Sequence, residues 1–146
     1  MKNIKKVLPV FLIISAVIAG TGSVYGQSKS EKIKTILIQL FEYCANDDYS
    51  NASKYLVYIG EDTTRRYTDV YDYSNENDKK EIVSLCREIK GIVEGGGEFE
   101  FTEFTTKKET EGLWNTWLVE FQKGSTKKAY FAFLKIKGNY ALGDID

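Results

Sequence analysis

The chain has 146 residues, with 20 Lys and Arg against 21 Asp and Glu, two Cys and no His. The missing imidazole rules out Ser-His-Asp and Cys-His catalysis and any His-based zinc site, and two distant Cys cannot form a thiolate cage. A charge near zero with no basic stripe argues against nucleic acid and against anionic membrane surfaces.

Residues 1–26 read as a secretory signal peptide. "MKNIKK" is a basic start, "VLPVFLIISAVIAG" an apolar run too short for a membrane span, and "TGSVYG" a small-residue cleavage region with the cut after Gly26. Export is therefore expected, to the periplasm or the medium, with no membrane attachment once the leader is cut. Losing Lys2, Lys5 and Lys6 takes the formal charge from −1 to about −4. Residues 27–146 are then expected to form a single domain.

In the mature segment, Ser30 is expected to cap a first helix with Ile33, Leu37, Leu40, Phe41 and Cys44 at helical spacing, ending at Asn46-Asp47-Asp48. "DYSNASKYLVYIG" reads as a second helix, with Ala52, Tyr55 and Leu56 on one face and Gly60 as its stop. Tyr67, Val70 and Tyr71 suggest a further helical turn. The clearest helix is "DKKEIVSLCREIKGIVEGGG", with Asp78 near its cap and a stripe of Ile82, Leu85, Cys86, Ile89 and Val93.

After Gly97 the period changes to two. "EFEF" sets Phe99 and Phe101 against Glu98 and Glu100, and Phe104 out of phase predicts a bulge or a strand end. "GLWNTWLVEFQ" is a second strand with Leu113, Trp117, Val119 and Phe121 on its apolar face and Trp114 on the other. "KKAYFAFLKI" is apolar on both faces, and "KGN" turns it into "YALGDID". Helices followed by a strand meander predict an α+β fold, with N-terminal helices on one face of an antiparallel sheet of about four strands.

"DDYSNASKYL" and "AFLKIKGNYALGDID", the second with its closing turn before Tyr140 and Leu142, resemble segments of the nuclear transport factor 2-like superfamily, in its secreted bacterial branch of unknown function. The resemblance covers the mature chain and rests on the order of residue types. It implies a cone-shaped α+β fold whose curved sheet wraps a long helix and leaves a pocket at the wide end. Some members are isomerases and cyclases, of the ketosteroid isomerase and SnoaL-like kinds, that work through a buried carboxylate and Tyr donors. Many others only bind.

Asp144 is the one candidate carboxylate. A two-residue turn before it sets Phe131 and Phe133 beside Tyr140, Leu142 and Asp144, and a three-residue turn substitutes Ala132 and Leu134. The alternative is a solvated acid at the chain end. Trp117, Tyr55, Tyr67, Tyr71 and Phe101 are the candidate ligand-binding residues, with ordinary packing as the competing reading. Arg65 and Arg66 either clamp an anion or are solvated. Cys44 and Cys86 lie on the apolar stripes of two helices; they are either a disulfide or two small buried hydrophobes. No cofactor or metal motif is present: "EGGGE" ends a helix where a phosphate loop would open one, and "DYSNENDKKE" lacks the central Gly of a calcium loop.

The function expected is a non-catalytic exported domain that binds a small apolar molecule or a protein partner. The alternative is a carboxylate isomerase or cyclase. Either is compatible with a homodimer through the sheet face.

Overall fold

The computed structural model describes residues 27–146; the expected signal peptide lies outside the described residues. Helices precede strands, as the periodicities require: α1 (Lys29–Ala45), α2 (Tyr49–Ser53) and α3 (Glu76–Gly96), then β1 (Phe99–Glu109), β2 (Gly112–Phe121), β3 (Lys128–Ile136) and β4 (Asn139–Ile145). The four strands form an antiparallel meander in the order β1-β2-β3-β4. The class is α+β.

α1 buries the stripe Ile33, Ile36, Leu37, Leu40, Phe41 and Cys44. Its cap is Ser28 rather than Ser30: the Ser28 hydroxyl accepts the Glu31 N–H at 3.3 Å, while the Ser30 carbonyl accepts the Trp117 indole N–H at 3.0 Å. α3 presents Ile82, Cys86 and Ile89 to the same core and is capped by Asn75, whose amide oxygen accepts from Asn77 and Asp78. Asp78 thus lies one turn inside the helix. Cys44 and Cys86 are joined by a disulfide with Cα atoms 4.7 Å apart, tying α1 to α3.

Two helical expectations are corrected. α2 stops at Ser53, and after a turn at Lys54 and Tyr55 the chain runs extended through Leu56 and Val57 instead of continuing as helix to Gly60. The chain at 63–68 folds as turns, with Tyr67 at φ 60, and Val70 then pairs with Val57 in an extended bridge. The cause is the open edge of β4, whose backbone groups need partners. Val57 donates to the Leu142 carbonyl at 2.8 Å and Leu142 to that of Tyr55 at 2.7 Å. On the far side, Tyr58 donates to Asp69 at 2.8 Å and Tyr71 to Leu56 at 3.0 Å. The β4 edge is covered twice over, whereas β1 remains an edge strand.

β1 carries the expected bulge, between Phe101 and Glu103, which lets Phe104 return to the same side as Phe101 against Trp117. Leu113 departs from its expected place: it is 45% exposed, at the outer end of the β1–β2 hairpin. Asn115, which alternation places on the same face, is buried.

The inner sheet face packs Trp117, Val119, Phe121, Ala129, Phe131, Phe133 and Leu142 against the helices. The alternate residues Leu134, Ile136 and Ala141 face outward and form a second cluster with Val57, flanked by Tyr67, Val70 and Trp114. This accounts for a third strand that is apolar on both faces.

Candidate functional site

The β3–β4 hairpin turns through Lys137 and Gly138, at φ 48 and 87, the two-residue geometry that matches strand twist. Ile136 therefore pairs with Asn139, and Phe133 with Leu142. One residue later the register slips: Ala132 pairs with Asp144, leaving Gly143 as the extra residue of a bulge. Because side chains alternate, this slip carries Asp144 away from the face of Leu142. The expected grouping of Tyr140, Leu142 and Asp144 is corrected: Leu142 is buried and Asp144 is exposed. A Cβ on Gly143 would sit 2.9 Å from the Trp114 ring, so the bare backbone here is what lets the indole lie down on the strand.

The aromatic candidates divide among separate places. Trp117 is buried against Phe101 and Phe104, with centroids 5.2 and 5.1 Å away. Lys34 lies over the Phe101 ring at 5.1 Å. Tyr55 is half-buried and stacks on Tyr43. Tyr71 is buried beside Tyr58, and that burial pushes its hydroxyl up. Tyr67 stands edge-on to Trp114, on the outer side of the sheet. Trp117 and Phe101 meet; Tyr71 and Tyr55 pack elsewhere in the same core, and Tyr67 lies against the second cluster. Inside, Phe131 and Phe133 have no exposed surface and Phe41 packs edge-on to Phe131 at 5.3 Å. The protein's own side chains occupy the inner face.

Among the described residues the buried carboxylate is Asp78, 4% exposed. Arg65 donates to both of its oxygens, at 3.3 and 2.8 Å, and the Asp72 N–H adds a bond at 2.8 Å. Arg65 also donates to the Val70 carbonyl at 3.1 Å and lies over the Tyr58 ring at 4.0 Å. Its guanidinium is raised further above its ordinary value, first by the hydrogen bond to Asp78. Partial burial raises the neighbouring Asp69, but the hydrogen bonds from Lys137 and the Val70 N–H, with the charges of Lys137 and Arg65, hold its carboxyl below the usual value. A carboxylate with every oxygen occupied by an arginine is a structural tie, not a poised base. Arg66 donates to the Gly60 carbonyl at 2.8 Å. Arg65 is thus committed within the protein, while the exposed Arg66 uses only its Nε–H in this way.

An open cleft of about 790 Å³ beside this network is lined by Lys54, Arg65 and Lys79. Those cations are already engaged: Lys54 donates to Asn51, and Lys79 pairs with Glu76. Two smaller clefts are different in kind. One, of about 210 Å³, has walls of Leu56, Val57, Ile59, Leu85, Leu142 and Ile145, with Glu88 and Asp144 also lining it. The other, of about 470 Å³, lies on the outer sheet face among Tyr67, Trp114, Thr116, Lys107, Glu109 and Glu111. Ile59, Gly143 and Asp144 line both, so the two adjoin.

Sequence reasoning missed this juncture. Glu88 lies on the polar side of α3, Ile59 in a connecting segment and Gly143 in a strand, and no spacing links them. The second Trp beside a Gly-containing last strand is the one signal that pointed outward.

No family model matches the chain, and no curated protein does. No group of His, Cys, Asp or Glu among the described residues is arranged to hold a metal ion, and none of the described helices is long and apolar enough to cross a membrane.

Proposed function

We propose that this is an exported, non-catalytic domain of the nuclear transport factor 2-like kind, which binds a protein partner on the outer side of its sheet. Helices leading into a bulged antiparallel meander support the superfamily assignment. The Cys44–Cys86 disulfide supports export, because such bonds persist in oxidising compartments.

The observation that carries the reading is the contrast between the two faces of the sheet. Trp117, Phe131 and Phe133 fill the inner face, where a small apolar ligand or an enolate would need room. At the β4 edge, Ile59 is 41% exposed where a cleft between α3 and β4 adjoins the one on the outer sheet face. The isomerase reading needs a buried carboxylate free to take a proton; Asp78 is tied to Arg65, and Asp144 is exposed.

A photo-crosslinking amino acid at position 59, in protein exported by its own host, is expected to trap a protein. The same preparation, extracted and examined by mass spectrometry, is expected to yield no stoichiometric small molecule. A retained apolar molecule at one per chain would overturn the reading in favour of an internal ligand.

A further inference from the structure

Resting on that reading, we infer that the partner presents an extended segment with a basic side chain, whose aliphatic stem enters the cleft beside Ile59 and whose charge meets Glu88 and Asp144. Three observations converge on this chemistry.

The first is size. At about 210 Å³ the cleft falls below the range that encloses drug-sized ligands, and suits one long side chain. The second is the lining, which is aliphatic along the walls and acidic at two positions, with no cation among its residues. Lysine and arginine have this construction in reverse, an apolar stem ending in a charge. The third is charge balance in the adjoining cleft. Its Lys107 is paired with Glu109, while Glu88, Glu111 and Asp144 take part in no ion pair among the described residues. The excess over the joined surface is negative, and a basic segment complements it.

The bulge at Gly143 assembles this site. It turns Asp144 out of line with the buried Leu142, and the Trp114 ring lies down on the bare backbone it leaves. A second side chain of the same segment then finds the aromatic faces of Trp114 and Tyr67, which stand edge-to-face with centroids 6.2 Å apart.

The test uses the folded chain 27–146 and three capped hexapeptides, Gly-Leu-Lys-Leu-Lys-Gly and its Glu and Gln counterparts, followed by amide chemical shifts. The Lys peptide is expected to perturb Ile59, Gly143 and Asp144, and to bind more weakly as salt rises. Combining Glu88→Gln with Asp144→Asn is expected to weaken it about fivefold, the usual weight of two exposed charge pairs. Equal binding of the Glu peptide, unchanged binding by the double variant, or no perturbation at millimolar peptide would each overturn the inference. A surviving protein crosslink from position 59 would then show that the partner is real and its chemistry not basic.

Discussion

Asp78 and Arg65 stand thirteen positions apart on either side of an irregular segment, and their pairing determines how that segment sits. The guanidinium fixes the turns at 63–68 to the first turn of α3, where a carboxylate also complements the helix dipole. Asp69 extends the tie by accepting Lys137 of the β3–β4 turn at 3.0 Å. Asp78→Ala would leave a guanidinium 24% exposed without its main acceptor, and the Asp72 N–H without its bond. The expected loss is about 3 kcal/mol in urea unfolding, since removing one member of a buried pair strands the other. A loss below about 1 kcal/mol would mean that the pair is as weak as an exposed one. Nothing in the sequence announces this contact. "TTRRY" reads as a polar connection and Asp78 as a residue near a helix cap, and a pairing across a loop has no periodicity to betray it. Asn115 is opaque for a related reason: its side-chain N–H group donates to the Leu113 and Phe133 carbonyls, while its side-chain oxygen has no partner.

Elements are legible where a periodic face is long enough to outweigh local accident. α1 and α3 follow their apolar stripes, and β1 shows its bulge through the phase of Phe104. α2 is shorter than its pattern suggests because "YLVYI" is apolar at both helical and extended spacing, and the free edge of β4 decides the matter. Asp144 departs from its expected face through a single residue: "YALGD" alternates cleanly in sequence, and the bulge at Gly143 reverses the face of the residues beyond it. The helix pair itself depends on its crosslink. Cys44 and Cys86 are separated by 42 positions, and a bridge of that span removes about 4 kcal/mol of unfolded-chain entropy in the loop-closure model. The double replacement Cys44→Ala with Cys86→Ala is expected to lower unfolding free energy by that order while leaving the strand signals of the spectrum in place. Equal stability with and without the bridge would show that the unfolded chain is already held compact.

At the scale of the whole molecule, the fold buries apolar residues on both faces of its sheet, under the helices on one side and under the segment carrying Val57, Tyr67 and Val70, with Trp114, on the other. Helix packing was predictable from the sequence; how the outer side of the sheet is covered was not, because the third strand is apolar on both faces and the covering segment is irregular. Trp117 holds the key position inside. Its ring meets Phe101 and Phe104, and its N–H reaches back to the Ser30 carbonyl, closing the first turn of α1 over the sheet. Trp117→Ala is therefore expected to cost about 3–5 kcal/mol, the range for deleting a large buried aromatic side chain. The vacated space would be lined by phenylalanine rings, and apolar cavities of that kind stay dry and accept small aromatic molecules. Saturating benzene is then expected to raise the melting temperature of Trp117→Ala and leave the wild type unmoved, since a ligand stabilises only the state that has room for it. Equal stabilisation of the wild type would reveal an internal site that the native side chains do not fill, and the case for recognition on the outer face would fail with it.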